Sequence, residues 1–427
     1  MAVVGSAHFF DAFDALTIAF AMPVLIGIWG LNPGETAAII SVGYVGQTIG
    51  AIAFGRAAES YGRRRMLRWT IGILSILTIA AGLAAGPVVF CILRFFQGLG
   101  LGGETPVGAA YINEICPTRW RGRAVFALQL IFAGGVVITA FAALWIIPHL
   151  GWRAMFWIGG LPLLLAIALP RLMSESPRWL ADVGRLEEAD QILMRVERDL
   201  LARGVSLQEP SPVARTMHET HPALAALFQS GYAQRTLALW LMALCTAIAG
   251  YGIVTWMPIL YRTVFHLPID IALRYGLGTT IAGFLGVLAA TLLIDRIGRR
   301  WLFILGFGGG GLPLLYLALN GAHVGVQGVV ILATTACTFL SFLLAGLYVY
   351  APEIYPTRIR AIGAGAASAW LRFGSIIGPL LVGLILPSFG ITGVFLLFGL
   401  AAITGAVTVF FFGIETLGRS LEAIAPR

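Results

Sequence analysis

Five charged side chains interrupt long apolar stretches of this 427-residue sequence: Asp11, Asp14, Arg94, Glu104 and Arg372. A charge at mid-membrane costs about 2.5–3.5 kcal/mol on insertion scales, so such residues are expected to be paired or to face a water-filled cavity. Asp11 and Asp14 lie three apart and share one face of a helix. Carboxylates this close disfavour double ionisation, and burial disfavours it further, so one of them suits proton uptake and release. Asp11 has a plainer alternative as a local hydrogen-bonding group. Arg94, Gln97, Leu101, Glu104 and Gly108 follow a 3–4 spacing and form one stripe, expected to face the bundle interior. Glu104 is then either a second proton site or a substrate contact. Arg94 either pairs inside or snorkels to the near interface. Arg372 is too deep for that, and its planar fork suits a bidentate carboxylate. An ion pair with an acid from elsewhere in the chain is the alternative for Arg372. His8 is either a proton-transfer aid or a hydrogen-bonded structural residue.

The elements that must hold these residues are membrane helices. Hydrophobic residues make up 59% of the chain and charged residues only 11%, where a soluble domain carries about 25% charged. Mean hydropathy is +0.89. Spans are expected near 3–26, 36–57, 67–86, 88–110, 122–147 and 153–171, then 234–261, 274–294, 301–320, 326–350, 361–386 and 391–413. This organisation predicts an all-α membrane protein: an N-terminal six-helix bundle over 1–172, a cytoplasmic linker with amphipathic helices over 173–232, and a C-terminal six-helix bundle over 233–427. The first apolar stretch lacks a basic lead and contains two Asp, unlike a cleavable signal peptide. Cys91, Cys116, Cys245 and Cys337 have no metal-ligand spacing and read as small apolar helix residues.

The net charge of +8 comes from Arg alone, with no Lys. Its distribution argues for membrane orientation, not nucleic-acid binding. Arg clusters at 56–68, 119–123, 171–235, 296–300 and 358–360 fall on one side of the predicted topology, while Arg153, Arg262 and Arg274 fall on the other. The positive-inside rule then puts both termini in the cytoplasm. The chain also repeats itself. GRAAESYGRRR (55–65) returns as TLLIDRIGRR (291–300), and EICPTRWRG (114–122) returns as EIYPTRIRA (353–361). Two parallel halves follow, with substrate between them and transport by rocking of one half on the other.

These loop segments, with RFFQGLGLGGE (94–104), SESPRWL (174–180) and IETLGRSLE (414–422), resemble signatures of the major facilitator superfamily and its sugar-porter-like branch. The chain departs from the pattern at Glu59, Thr291 and Ile414, where Asp, Gly and Pro are usual. The loop residues suit a cytoplasmic gate in which acids near helix ends pair with Arg of neighbouring helices. Its members would be Gly55, Glu59, Gly62, Arg63, Arg64, Glu114, Arg119 and Arg121, then Asp295, Gly298, Arg299, Arg300, Glu353, Arg358 and Arg360. Positive-inside anchoring alone is the alternative, but the acid-plus-Gly spacing in both halves favours the gate. The resemblance, which extends to aromatic-acid:proton symporters, implies that Asp14 of FFDAFD carries the proton and that Arg94 pairs with it until protonation. It also likens Arg372 to an Arg of organic-anion members.

Sugar porters carry a Gln-Gln signature on helix seven, but here that helix reads CTAIAGYGIVTWMP, without Gln or Asn. The expected substrate is therefore a small organic anion, with aromatic carboxylates favoured. Candidate contacts are Arg372, Tyr44, Gln47, Gln97, Gln129, Tyr251, Trp256 and Trp370, with Phe10 and Phe13 shaping the pocket. The sequence predicts a monomeric, proton-coupled symporter of a bacterial inner membrane. No enzyme chemistry, cofactor, metal or nucleic-acid partner is implied. A sugar or other metabolite symporter and a proton-driven exporter are the alternatives, with a non-transporting solute sensor behind them.

Overall fold

A computed structural model describes residues 2–116, 118–202, 204, 224–229, 231–321 and 323–418, with backbone alone at 2, 118–126, 357, 358 and 361. The described residues are helices and short turns. In chain order the helices are α1 (Ala2–Trp29), α2 (Pro33–Tyr61), α3 (Arg63–Gly82), α4 (Pro87–Ile115), α5 (Thr118–Leu150), α6 (Trp152–Gly159) and α7 (Pro162–Leu172). There follow α8 (Pro177–Asp182), α9 (Leu186–Ala202), α10 (Ala233–Thr246), α11 (Gly252–Thr263), α12 (Ile269–Ile297), α13 (Arg299–Asn320), α14 (Val326–Glu353) and α15 (Thr357–Phe412). Ten helical stretches among the described residues are long and apolar enough to cross a membrane. Counting α4, whose own charges lower its hydropathy, and dividing Ile362–Phe412 at Gly390 brings the total to twelve.

Local sequence explains several boundaries. Asn32 and Glu35 cap α2 reciprocally, through bonds of 2.8 and 2.9 Å. The third span ends at Gly82, short of the expected 86, because Leu83–Gly86 forms a turn before Pro87 opens α4. The sixth span is broken between α6 and α7, where Pro162 starts a new helix. The seventh widens into a π turn at Ala247–Tyr251, between α10 and α11. The last two spans, both within α15, meet directly at a kink at Gly390, whose backbone is non-helical. Between the sixth and seventh spans lie the helices α8 and α9, while most of 203–223 lies outside the described residues.

The core of the first half rests on backbone contact between α2 and α4. A side chain at Gly46 or Gly50 would strike the carbonyls of Phe95 or Leu99, and one at Gly98 or Gly102 those of Gly43 or Gln47. Small residues let the two helices touch, which is how membrane helices pack without a hydrophobic drive. The second half repeats the arrangement, with Gly286 of α12 against the Thr338 carbonyl of α14.

The halves meet along a seam far from the N terminus. Ser41 of α2 donates to the Ile376 carbonyl of α15 at 2.8 Å, and Ala37 faces Gly383. Ile146 and Ile147 of α5 pack in one cluster with Leu273 and Leu277 of α12. Phe20 of α1 and Pro258 of α11 both pack on Gly276.

Candidate functional site

On the N-terminal side of this seam lies a cavity of about 290 Å³. Its walls include His8 and Asp11 of α1, Gln47 of α2, Glu104 and Thr105 of α4, Gln129 of α5, Tyr348 of α14 and Arg372 of α15. Tyr348 is 51% exposed and Thr105 is also exposed, so the cavity opens toward the side that bears the N terminus. A second, mainly apolar chamber of about 160 Å³ shares Ala15, Tyr44, Phe132, Tyr251 and Leu344 with it.

The sequence stripe on α4 reaches α1 at two levels. At the inner level, Arg94 Nη1 lies 3.3 Å from Asp14 Oδ2, and both residues are buried. Gln97 joins the pair: its Oε1 accepts from Arg94 at 2.8 Å, and its Nε2 donates to Asp14 and, at 2.6 Å, to Thr78 of α3. Thr78 also donates to Asp14 at 3.4 Å. The absence of a side chain at Gly43 leaves the Arg94 guanidinium room beside α2; a Cβ there would sit 3.2 Å from Nη2. Arg94 therefore does not snorkel; it is 6% exposed and held in an ion pair. One turn nearer the N terminus, Glu104 and Asp11 converge on His8, which is 3.7 Å from each.

Arg372 lines the same cavity as Asp11 and Glu104. Its Nη1 lies 3.5 Å from the Gln47 carbonyl, and no acid among the described residues comes within ion-pair distance of it. A cation on a cavity wall with one weak acceptor is available to an anionic ligand.

Other candidates fall in different places. Tyr44, Gln47, Gln129 and Tyr251 line the cavities. Gln97 is turned away from them, onto Asp14. Trp256 is wholly buried in the core, and Trp370 stacks on Trp240 at 5.3 Å; neither is among the lining residues. Phe13 is buried against Leu16, with Phe10 at the edge of the same cluster.

The loop residues form two matching networks, each within one half. Arg63 binds Glu114 through Nε at 3.0 Å and Nη2 at 2.7 Å. Arg299 binds Glu353 in the same way, at 3.1 and 3.0 Å, and Asp295 at 3.0 Å. Gly62 and Gly298 have φ of +94° and +86°, left-handed values that favour glycine. Their turns deliver two successive backbone N–H groups, from 63 and 64 and from 299 and 300, to the carboxylates of Glu175 and Glu415 at 2.9–3.2 Å. Carboxylates thus sit at the N termini of α3 and α13, where the helix dipole favours them. Neither Glu175 nor Glu415 was among the gate residues expected from the sequence; their matching places, each three residues beyond the end of a sixth or twelfth span, were the available signal. Arg300 also donates to the Phe410 carbonyl at 2.6 Å and Arg360 to that of Tyr355 at 3.4 Å. The Glu59 side chain is exposed and its carbonyl accepts from Trp179 at 2.7 Å, while Gly55 has open space around it. The side chains of Arg119, Arg121 and Arg358 lie outside the described residues.

A twelve-span bundle around a charged cavity is an architecture suited to an integral membrane transporter. The chain belongs to the family described as sugar (and other) transporters, which it matches over residues 32–427, within the major facilitator superfamily. It is a transporter and not an enzyme. It is 33% identical to the niacin transporter NiaP of Acinetobacter baylyi, over 99% of this chain and 95% of that one. It is 31% identical to a gallate transporter of Pseudomonas putida, over 98% and 92%. The inward-open xylose transporter XylE from E. coli superposes with a TM-score of 0.79 over 99% of this chain and 97% of that one, at 18% identity.

Proposed function

We propose that the protein imports a small aromatic carboxylate together with protons, by alternating access across a bacterial inner membrane, with both termini cytoplasmic. The carrying observation is Arg372, a cation without an acid partner among the described residues, on the wall of the central cavity. Its guanidinium binds the carboxylate. The adjoining chamber, bounded by Tyr44, Phe132 and Tyr251, accepts the ring. Niacin and gallate, named for two relatives, are both rings bearing a carboxylate. Asp14 carries a proton: protonation removes its charge, releases Arg94 and permits the change of access. In this reading the seam closes the outer side and the cavity faces inward. The paired loop networks hold each half rigid as it rocks. A sugar substrate is disfavoured because the seventh span offers no Gln or Asn to the cavity.

The test is uptake of radiolabelled niacin or gallate into proteoliposomes under an inward proton gradient. Wild-type protein concentrates the substrate. Asp14→Asn exchanges substrate across the membrane but accumulates it less than wild type under the same proton gradient. Accumulation by Asp14→Asn equal to wild type would exclude Asp14 as the carrier.

A further inference from the structure

The Asp14–Arg94 pair accounts for one acid–base couple and leaves a second group of titratable residues unused. His8, Asp11 and Glu104 are 8%, 2% and 1% exposed. His8 Nδ1 is 3.7 Å from Asp11 Oδ2 and from Glu104 Oε2, and the three residues bring ligand atoms within 4.8 Å of one another. All four carboxylate oxygens are closed to solvent and have no hydrogen-bond partner. A buried carboxylate without donors is costly, and two together are costlier. Even a charged imidazole offsets only one of them.

The described neighbours supply no further cation. Among the described residues, α5 presents the Phe132 ring, 5.3 Å from His8, and the neutral Gln129. On α4, Arg94 is committed to Asp14 and Gln97. Tyr44, Tyr251, Tyr348 and Arg372 line the same cavity but make no hydrogen bond or ion pair with the trio. What the geometry lacks is a small positive charge between two oxygens, and in a proton-driven carrier that charge is a proton.

We propose that His8, Asp11 and Glu104 form a second proton site, separate from Asp14–Arg94, so that each monovalent carboxylate enters with two protons. This rests on the proton-coupled reading above and adds its stoichiometry. One proton bonds to a carboxylate oxygen of Asp11 or Glu104, leaving the other acid opposite His8, which relays the proton to the cavity. The second neutralises Asp14. Both are taken from water on the outer side and returned to water on the inner side, with no other bond made or broken. Two protons and one anion carry a net charge of plus one, so uptake is electrogenic.

Proteoliposomes holding the full chain, with equal pH on both sides and an inside-negative potassium–valinomycin potential, test this with labelled niacin and gallate. The expected result is accumulation driven by potential alone, about tenfold for each ~59 mV at full coupling. Asp11→Asn and Glu104→Gln abolish the response to potential, while a proton gradient still drives uptake through Asp14. Wild-type protein that responds to a pH gradient but not to potential carries one proton per anion; this overturns the second site and leaves the proton-coupled reading intact. A response to neither gradient overturns both. Loss of wild-type uptake in EDTA with recovery in Zn²⁺ makes the trio a metal site and overturns the proposal. The wild-type measurement decides even if a variant fails to fold.

Discussion

Arg94 and Asp14 are buried in apolar surroundings and hold each other's charge. Removing one partner strands the other, which costs about 3–5 kcal/mol in buried pairs. Arg94→Ala is therefore expected to lower the melting temperature of the detergent-purified protein, and Arg94→Ala with Asp14→Asn to recover most of the loss; a double variant no more stable than the single one would show that the pair is not the cause. Arg372 differs because it has no acid partner among the described residues. Arg372→Ala should fold normally and bind niacin or gallate ~30-fold or more weakly by calorimetry, in line with the 2–5 kcal/mol typical of truncating one partner of a buried charge pair. Arg372→Lys should recover little, since an ammonium cannot form the fork. Unchanged affinity in Arg372→Ala would place the anion elsewhere. These five intramembrane charges were visible in the sequence as breaks in hydropathy. Their pairings were not, because Asp14 and Arg94 are eighty residues apart.

At the scale of elements, glycines decide where the charges stand. Gly46 and Gly50 bring α2 onto the backbone of α4. Gly46→Val puts methyl groups where the Phe95 carbonyl lies, so it should sharply reduce the yield of monodisperse protein, whereas Gly55→Ala, with open space around it, should not; equal yields would mean that the helices do not depend on this contact. The caps by Glu175 and Glu415 act at the same scale. Glu175→Ala leaves the first N–H groups of α3 without their carboxylate, a loss of about 0.5–2 kcal/mol for a helix cap, readable as a lower melting temperature. Helix identity and rough length were legible from hydropathy and capping residues. The break in the sixth span, the π turn in the seventh and the direct kink at Gly390 between the last two spans were not, since each depends on how neighbours satisfy the backbone.

Across the whole molecule, the seam closes one side while the cavity opens on the other. Ala37 and Gly383 touch across that seam, where a Cβ at 383 would lie 2.5 Å from that of Ala37. Ala37→Cys combined with Gly383→Cys, in a background freed of the four native cysteines, should form a disulfide under mild oxidation once the seam parts by about 1 Å, because a disulfide holds its Cβ atoms ~3.5–4.5 Å apart. The bond should arrest transport, and reductant should restore it. Full transport in the cross-linked protein would exclude opening at this seam as part of the cycle.

Composition and local repeats were enough to fix the solvent, the helices and the doubling of the chain, because lipid demands long apolar helices and a duplicated segment keeps its spacing. They also singled out the charges whose cost calls for a use. Which charges meet was decided only by tertiary packing. The stripe on α4 gave the order Arg94, Gln97, Glu104, but the crossing of α1 over α4 determined that Arg94 takes Asp14 and Glu104 takes Asp11 and His8. Packing also withdrew Trp256 and Trp370 from the cavity and left Arg372 on its wall without an acid partner among the described residues. Helix periodicity sets the direction of a side chain about its own axis; what lies opposite depends on the approach of another helix, which here is set by small residues far away in sequence.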